Sequence, residues 1–503
     1  MYCDRSCSGC DLLSCPQAAW RERMRGGSAL AVTWLLFLSV VAGAPGQYEK
    51  PAFPPILTRR PFIVAWNVPT QDCWPRFKVR LNFSIFDVQA SPNEGFRDQN
   101  LTIFYKERLG LYPYYDWQKM PVNGGVPQNS SLMQHVDQLK ESIGKYIRSE
   151  SKEGLAVIDW EEWRPIWIRN WQAKDIYRNA SRQLVLARRP GLSEEQVKKE
   201  AQYEFEASAR EFMKETLRYA KNLRPQQLWG YYLFPDCYNH DYNKNQDSYT
   251  GHCPDVEKTR NDRLSWLWKE SNALYPSIYL DQILANTTNA RKFVRSRVEE
   301  ALRISQQHHN NYALPVFVYT RPTYNRKSNQ TDLYCLSEVD LVSTIGESAA
   351  LGAAGAIFWG DAEHTRSREI CQVIKNYIEE DLGRYIINVT TAAQLCSQTL
   401  CSRHGRCRRQ NSNSSVFLHL NPANFQIQEN RSEQQKPLLV AKGKLSQEDV
   451  AFLRTHFQCH CYQGWHGEAC EMHPPGGGGS RPCLCSSLGL HLLMTLALLA
   501  CLH

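Results

Sequence analysis

The amino-acid sequence predicts an α/β protein built around a closed barrel of parallel strands. Short β-like runs alternate with longer helical stretches, and strand followed by helix, repeated, is typical of a parallel sheet. At 503 residues with 42% hydrophobic content, the chain can bury one large core and a small extra module. At this length a closed barrel is favoured over an open sheet.

The β-like runs are the candidate barrel strands, and the helical stretches 195–222 and 293–309 fall between them. The candidate strands are 62–67, 85–88, 155–161, 228–234, 277–280, 316–320 and 356–359, with 102–105 as a short eighth.

One of these strands ends in two carboxylates. Residues 155–163 read LAVIDWEEW, in which the apolar run stops at Asp159 and Glu161. Because side chains alternate between the faces of a strand, the two acids share one face and lie about 6.5 Å apart at Cα. Carboxylates that end a buried strand are therefore candidate catalytic groups.

Two tryptophans, Trp160 and Trp163, surround the acid pair in the sequence. Beside such apolar neighbours, desolvation and mutual repulsion raise the proton affinity of at least one carboxylate. This is how a protein prepares a general acid. The plainer alternative is a strand end whose acids cap a helix or pair with Arg164 and Arg169.

The segment around the pair, GLAVIDWEEWRPIWIRNW, closely resembles the catalytic segment of the animal hyaluronidases, glycoside hydrolase family 56. The resemblance keeps the family's order from about residue 59 to about residue 471. The hydrophobic tail, the stretch FDVQASPNEGF and the loop PTYNR most resemble the lipid-anchored member of that family. The other matching segments are 59–73, 102–115, 124–132, 228–242, 261–280 and 347–361.

This resemblance implies a distorted (β/α) barrel of the TIM type with seven or eight strands. It places the acid pair at the carboxyl-terminal mouth, where the active sites of such barrels lie. It also implies endo-hydrolysis of the β-1,4 linkages between N-acetylglucosamine and glucuronate in hyaluronan, with no metal and no organic cofactor.

The expected mechanism follows from the placement of Asp159 and Glu161. Two acids on one face of one strand can hardly flank a sugar from opposite sides, as two-carboxylate mechanisms require. The acetamido group of N-acetylglucosamine supplies an internal nucleophile instead. Glu161 then acts as acid and later as base, while Asp159 orients the acetamide. The resemblance implies the same substrate-assisted cleavage with retention.

Aromatic residues at other strand ends complete the expected site. By resemblance, Tyr232 and Tyr279 hydrogen-bond the acetamido group and the acid pair, and Trp359 packs against the acetamido methyl. A single such residue is more often simple packing, but these three fall at corresponding ends of three strands.

Three further residues are weaker candidates for substrate binding. Tyr105 is a candidate lining residue of the groove. Arg164 and Arg297 are candidates to pair with acids or with the carboxylates of the substrate. For all three, a purely structural role is the preferred interpretation.

The two ends of the chain predict export and lipid anchoring. Residues 29–44 follow Arg23 and Arg25 and end in small residues, which is typical of a secretory signal peptide. Met1 and Met24 are both candidate starts, and the cysteines before the signal belong to an upstream extension. The small residues at 476–480 and the apolar tail at 488–502 match a glycosylphosphatidylinositol signal.

These features predict four regions. Residues 1–45 hold the extension and signal peptide, 46–390 the catalytic barrel, 391–472 a disulfide-rich module, and 473–503 the linker and anchor signal. The mature protein is expected at the outer leaflet of the plasma membrane, or in endosomes and lysosomes after uptake.

Secretion indicates disulfide formation. The last six cysteines before the anchor follow C-x4-C-x5-C, a long insert, then C-x-C-x8-C, which is an epidermal-growth-factor-like (EGF-like) pattern. Cys335 has no partner in the family scheme, and a free thiol, an intermolecular link and an exchange partner all stay open. The resemblance implies the pairs Cys73–Cys371, Cys237–Cys253, Cys396–Cys407, Cys401–Cys459 and Cys461–Cys470.

Glycosylation sequons also favour an extracellular fate, and those that are used must lie on the surface. They begin at Asn82, Asn100, Asn129, Asn179, Asn286, Asn329, Asn388, Asn413 and Asn430.

Charge adds little to this interpretation. The net charge of +8 is spread through mixed-charge segments, and no recognised nucleic-acid motif accompanies it. The basic cluster Arg403, Arg406, Arg408 and Arg409 is expected to be a solvated loop, with contact to anionic glycans as the alternative. Acidic residues at 361 and 363 are expected to weaken binding of a polyanion or to restrict it to acidic pH.

Two alternative functions stay open. The first is a weakly active cell-surface receptor for hyaluronan or proteins, although such a protein would be expected to have lost Glu161 or Tyr279. The second is a chondroitin hydrolase on the same scaffold. The EGF-like module and its insert, 408–458, are expected to make protein contacts or to act as a spacer from the membrane.

Overall fold

Parallel strands form the centre of the computed structural model, which describes residues 49–325, 333–430 and 439–473. The strands are β1 (Ile63–Asn67), β2 (Val88–Ala90), β3 (Leu101–Tyr105), β4 (Tyr114–Tyr115), β5 (Pro121–Val122), β6 (Gly154–Asp159), β7 (Gln227–Tyr231), β8 (Phe317–Thr320), β9 (Gly355–Trp359), β10 (Gly405–Arg409), β11 (Phe425–Glu429), β12 (Leu439–Gly443) and β13 (Phe457–Cys461).

Two parallel sheets together make the barrel. One has the order β2-β1-β9-β8 and the other the order β3-β6-β7. An irregular segment, 274–281, lies between β7 and β8 and bridges Leu274 to Val316 and Ser277 to Tyr319. Strands β2 and β3 contact each other on the opposite side. The predicted (β/α) barrel is confirmed, and the irregular segment 274–281 completes its wall between β7 and β8.

Helices surround the barrel, and the long helix predicted at 195–222 is confirmed as α4, which begins after a capping box formed by Ser193 and Gln196. The helix predicted at 293–309 starts and ends earlier, as α7. The helices are α1 (Cys73–Phe77), α2 (Leu132–Tyr146), α3 (Asp175–Arg188), α4 (Glu194–Leu223), α5 (Asp255–Arg263), α6 (Ser265–Glu270), α7 (Thr288–Ser305), α8 (Glu338–Leu341), α9 (Glu347–Leu351), α10 (Arg368–Glu379), α11 (Asp381–Leu400) and α12 (Gln447–His456).

Four of the predicted strands, 62–67, 102–105, 316–320 and 356–359, lie within one residue of β1, β3, β8 and β9. The strand predicted at 85–88 is wrong except for Val88. Residues 85 and 86 are buried by packing, since the ring of Phe86 lies 4.9 Å from that of Trp66. Their apolar character reflects burial beneath the barrel wall rather than strand pairing.

Two further predicted strands end too late, and a third is not regular. Strand β6 stops at Asp159 because its neighbours end there: Tyr105 pairs with Asp159 on one side and Tyr231 with Ile158 on the other. Strand β7 stops before Leu233, whose positive φ of 74° is incompatible with extended backbone. The segment predicted as a strand at 277–280 makes only isolated bridges.

The alternation of side chains along the strands gives the barrel an inner and an outer core. Along β6, Leu155 and Val157 belong to the inner core, whereas Ala156 and Ile158 pack outward beneath the helices. Asp159 continues the inward-facing series. The barrel therefore delivers this carboxylate to the mouth of its interior.

The carboxyl-terminal part packs on the barrel through α11 and the antiparallel pair β10–β13. The boundary predicted at residue 390 falls inside α11. The insert contains the antiparallel pair β11–β12 and the helix α12. The described residues form five disulfides, which are the pairs that the resemblance implies.

The prediction of a solvated basic loop is wrong for three of its four arginines: Arg406, Arg408 and Arg409 lie on strand β10, and Arg406 and Arg409 are also buried. Arg406 is buried and donates through Nε to the carbonyl of Pro61 at 2.8 Å. Arg409 is also buried and forms an ion pair with Glu347 of α9. Both side chains serve as internal contacts between the carboxyl-terminal part and the barrel.

Cys335 is the free cysteine of the described residues, and it is partly buried. Burial, followed by the negative charge of Asp381, raises the pKa of its thiol to about 12. A thiol that remains protonated is a poor nucleophile. Of the open alternatives, these surroundings favour an unreactive free thiol.

Several sequence predictions concern residues outside the described ranges: the upstream cysteines, the signal peptide at 29–44, the anchor signal at 476–502 and the sequon at Asn329. Among the described helices, none is both long enough and apolar enough to cross a bilayer. Asn100, Asn129, Asn179, Asn286 and Asn413 are exposed, whereas Asn388 is partly buried and its Oδ1 accepts from the N–H of Leu420 at 2.8 Å.

Candidate active site

The carboxyl ends of the barrel strands gather the predicted site residues at one mouth. Tyr105 ends β3, Asp159 ends β6, Tyr232 follows β7, Tyr279 lies on the irregular segment and Trp359 ends β9. Four of these, all except the acid, extend the inner core towards the mouth. Parallel strands bring these distant positions together, as the sequence predicted.

The two carboxylates of the pair lie in different surroundings. Asp159 sits at the end of the strand, and burial raises its pKa well above the ordinary value, with further contributions from the charges of Glu161 and Glu162. Glu161 lies two residues beyond the strand, and 46% of its side chain is exposed. The expectation that both acids sit on one strand is therefore corrected: Asp159 is on the strand and Glu161 on the loop after it.

Arg164 accompanies Glu161. Its Nη2 donates to Oε2 of Glu161 at 3.0 Å, and its Nη1 donates to the backbone carbonyl of the same residue at 2.9 Å. Lys174 also donates to that carbonyl. Arg169 instead pairs with Asp236 and Glu257. The structural alternative raised for the acids thus holds for Arg164, not for Arg169.

The loop that carries Glu161 is held by aromatic stacking against the outer core. The rings of Trp160 and Trp163 lie 4.4 Å and 5.1 Å from that of Tyr112 in the outer core. Trp163 also donates through Nε1 to the carbonyl of Pro113 at 2.8 Å. These tryptophans therefore hold the loop that carries Glu161.

Tyr232 stands beside the acid pair, and Tyr279 stands beside Tyr232. The hydroxyl of Tyr232 donates to Oγ of Ser277 at 3.4 Å, and its ring lies 6.1 Å from that of Tyr279. Burial raises the pKa of both tyrosines, and for Tyr232 the charge of Glu161 adds to this effect. Both hydroxyls therefore keep their protons and can donate hydrogen bonds.

Trp359 is held on two sides. Its Nε1 donates to the hydroxyl of Tyr105 at 3.0 Å. Its ring stacks on that of Tyr279, with centroids 6.2 Å apart and planes inclined by 16°. The contact of Tyr105 gives this residue a defined place in the site, namely as the hydrogen-bond acceptor that orients the indole.

Arg297 is buried. Its guanidinium donates to Asn239 Oδ1 at 2.9 Å and to the carbonyl of Ser277 at 3.0 Å, and it lies 3.6 Å from Asp236. These contacts occupy the donors of a buried side chain, which favours the structural role over contact with substrate.

Arg321, which follows β8 directly, was not among the predicted site residues. Its Nη2 lies 2.7 Å from Oδ2 of Asp361, and its guanidinium carbon lies 5.2 Å from the ring centroid of Trp359. A basic residue immediately after a barrel strand was the signal that could have identified it.

The acidic segment after Trp359 is charge-compensated. Burial would raise the pKa of Asp361, but hydrogen bonding to His364 and the charge of Arg321 hold it below the ordinary value. Glu363 pairs with Arg366 at 3.0 Å. The expected repulsion of a polyanion is therefore reduced, and Asp361 stays ionised under mildly acidic conditions.

Comparison with known proteins shows which family has this sequence and this fold. The family model described as hyaluronidase, glycoside hydrolase family 56, matches residues 51–474. Hyaluronidase-2 of Rattus norvegicus is 54% identical over 479 residues, which cover 95% of this chain and 98% of the rat protein. Hyaluronidase-2 of Homo sapiens is 54% identical over 478 residues, with the same coverage. A hyaluronidase of Crotalus adamanteus is 46% identical over 428 residues, covering 85% of this chain and 94% of that protein.

A solved structure agrees with these matches. Bee venom hyaluronidase in complex with a hyaluronic acid tetramer aligns with a TM-score of 0.54 at 30% identity, covering 65% of this chain and 98% of the bee protein. The fold predicted for the chain is therefore also the fold of a solved relative.

Proposed function

This chain belongs to the hyaluronidase family of glycoside hydrolases, and on that premise we propose that it cleaves hyaluronan internally, at the β-1,4 linkages between N-acetylglucosamine and glucuronate. The single observation that carries the proposal is the acid pair at the barrel mouth, where a desolvated Asp159 stands beside the more exposed Glu161. Such a pair binds one proton more readily than an isolated carboxyl does.

Cleavage begins with the shared proton. In the resting pair the proton resides on Asp159, because burial raises the pKa of this carboxyl. Transfer of the proton to Glu161 leaves Asp159 as the carboxylate that accepts a hydrogen bond from the acetamido N–H. The acetamido oxygen then bonds to the anomeric carbon, the glycosidic C–O bond breaks, and Glu161 gives its proton to the leaving oxygen.

The second step regenerates the pair. Water attacks the anomeric carbon, the bond to the acetamido oxygen breaks, and the Glu161 carboxylate accepts the proton that the water loses. Two displacements at one carbon retain the anomeric configuration. The loop position of Glu161 supports this assignment, since it separates the acid from Asp159 in space and exposes it to the leaving group.

The aromatic residues fit the acetamido group of this substrate. The Tyr232 hydroxyl, beside the acid pair, and the neighbouring Tyr279 hydroxyl both keep their protons, which suits them to donate to the acetamido oxygen. The Trp359 face, stacked near Tyr279, suits contact with the acetamido methyl. The site thus recognises the N-acetyl group that also acts as nucleophile.

The decisive experiment compares Glu161→Gln with the wild type on defined hyaluronan and chondroitin oligosaccharides. We expect the wild type to release reducing ends with retained configuration and Glu161→Gln to lose at least a thousandfold in turnover. Glu162→Gln is the matched control in the same loop and is expected to stay within several-fold. Equal turnover by Glu161→Gln would remove Glu161 from the reaction, and binding without turnover would favour a receptor.

We propose further that the protein acts at the cell surface on a glycosylphosphatidylinositol anchor. The support is the pair of terminal signals in the sequence, at 29–44 and 476–502. Treatment of intact expressing cells with phosphatidylinositol-specific phospholipase C is expected to release the protein into the medium. Retention on the treated cells would contradict the anchor.

A further inference from the structure

Four side chains link the loop after β8 with the loop after β9. Arg321 Nη2 lies 2.7 Å from Asp361 Oδ2, Asp361 Oδ1 lies 3.2 Å from His364 Nδ1, and His364 Nε2 lies 3.2 Å from Oγ1 of Thr323. Because Arg321 and Thr323 belong to one loop and Asp361 and His364 to the other, the contacts close a ring. We call it the inter-loop ring.

Three members of this ring, His364, Thr323 and Asp361, are held in place by burial or by backbone contacts. His364 and Thr323 are buried. Asp361 caps the short helix Ala362–Thr365, since its Oδ1 accepts from the N–H of Glu363 at 3.1 Å. The carboxylate is therefore fixed by its own backbone as well as by His364, and it fixes the guanidinium in turn.

The other side of Arg321 faces the aromatic pair of the site. Its guanidinium carbon lies 5.2 Å from the ring centroid of Trp359 and 5.8 Å from that of Tyr279. Only 15% of its side chain is exposed. Within the described part of the chain, its buried Nε has no hydrogen-bond partner. A desolvated cation against two aromatic faces gains from both.

We propose that Arg321 and Asp361 are positioning residues, which hold Trp359 against Tyr279 through the inter-loop ring and so keep the shape of the acetamido pocket. This inference deepens the proposed function and rests on it. Arg321 acts through the aromatic pair and makes no bond to the substrate. Its loss displaces the nucleophilic acetamido group relative to the anomeric carbon.

The kinetic signature separates this role from direct contact with a uronate carboxylate. A displaced nucleophile lowers kcat, because small errors in the reacting geometry are costly. A lost ion pair with the polyanion instead raises KM, and its effect shrinks as salt screens the charges. A positioning role is insensitive to ionic strength.

The experiment measures kcat and KM for Arg321→Met, Arg321→Lys and Asp361→Asn at two salt concentrations. For Arg321→Met we expect kcat to fall roughly tenfold to a hundredfold with little change in KM. The lysine variant should recover only part of the loss, because an ammonium lacks the planar fork of a guanidinium. Asp361→Asn should follow in the same direction. Arg366→Met is the control, because it removes the neighbouring ion pair with Glu363, and it is expected to stay within about twofold.

Circular dichroism and thermal melting verify that each variant is folded, and Arg321→Lys serves as the milder change if the methionine variant does not fold. An unchanged kcat, or a salt-dependent rise in KM alone, would overturn the positioning role. Failure of the wild type to cleave hyaluronan would overturn the proposed function instead. Oligosaccharide affinity in Glu161→Gln, with and without Arg321→Met, then decides the inference: affinity that changes little at either salt concentration supports it, and a loss of affinity that shrinks at high salt overturns it.

Discussion

The guanidinium of Arg164 spans Glu161, donating at 3.0 Å to its carboxylate and at 2.9 Å to its backbone carbonyl. The same cation opposes the raised pKa of Asp159. Arg164 therefore orients one member of the acid pair and limits the proton affinity of the other. A residue that the sequence indicated mainly as a structural partner emerges as a control on the charge of the site.

Replacement of Arg164 by Met is expected to move the alkaline limb of the pH profile to higher pH. Without the cation the pKa of Asp159 rises further, so the pair keeps its proton under more alkaline conditions. Turnover should also fall, because Glu161 loses two contacts. The measurement is kcat/KM for hyaluronan across pH. Arg164→Lys, which keeps the charge, should leave the limb near its original position, and identical limbs for all three proteins would contradict the assignment.

Asp159→Asn is expected to stabilise the fold at pH 8 and to do so much less near pH 4. Burial raises the pKa of Asp159 in the folded state. Below its ordinary pKa the carboxyl is protonated in both the folded and the unfolded protein, so it costs nothing. Between the ordinary pKa and the folded pKa only the unfolded chain releases the proton, and the free energy of unfolding falls by about 1.4 kcal/mol for each step of one in pH.

Thermal denaturation of wild type and Asp159→Asn at several pH values measures this effect. The gain in melting temperature should grow with pH, while turnover is lost throughout. A gain that is equal at every pH would show that Asp159 does not carry a buried charge. Functional sites commonly trade stability for reactivity in this way.

Tyr105→Phe is expected to lower kcat/KM several-fold by freeing the indole of Trp359. The change removes the acceptor of the 3.0 Å hydrogen bond from Trp359 Nε1, a loss of about 1 kcal/mol. The check is a double-mutant cycle with Trp359→Phe. If Tyr105 acts through the indole, Tyr105→Phe should have little further effect in a protein that already carries Trp359→Phe. Additive effects would show that Tyr105 acts independently.

The sequence predicted which strand ends meet at the barrel mouth because two local rules suffice for that. Side chains alternate along a strand, and parallel strands end at one edge. These rules place the strand ends Asp159, Tyr105 and Trp359 at the mouth, whereas the choice of Trp359 as a site residue came from the family resemblance and Tyr105 was expected to have a structural role. The irregular segment that carries Tyr279 could not be predicted as such, since its bridges depend on the neighbouring strands.

Contacts between distant charges were not predictable from local patterns. Arg321 and Asp361 meet only because adjacent barrel strands deliver their loops to one place. Arg409 belongs to a cluster that looks solvated in sequence, yet its partner Glu347 comes from another helix. Burial of a charge depends on such a partner, and only the fold brings it into reach.

The thiol of Cys335 is expected to resist alkylation in the folded protein. With a pKa of about 12, only about one molecule in ten thousand carries the reactive thiolate at pH 8. Iodoacetamide labelling followed by mass spectrometry of the peptide that contains Cys335 measures the rate. Denatured protein is the reference and should react rapidly. A native rate close to that of glutathione would indicate an accessible, redox-active thiol.

Glu347→Gln is expected to destabilise the protein more than Arg409→Met does. Glu347 is fully buried and pairs with both Arg295 and Arg409. These arginines also donate to the carbonyls of residues 412, 413, 414 and 416, which ties the insert to the barrel. Loss of the carboxylate leaves two cations facing each other, and breaking a buried pair costs about 3 to 5 kcal/mol.

Arg409→Met leaves the pair between Arg295 and Glu347, at 2.6 Å, in place, so its cost should be smaller. The double variant should cost less than the sum of the two, because the second change removes one of the stranded cations. Denaturant unfolding measures the free energies, and limited proteolysis within 412–416 reports the release of the insert. A larger loss for Arg409→Met would show that its backbone contacts, rather than the carboxylate, hold the two parts together.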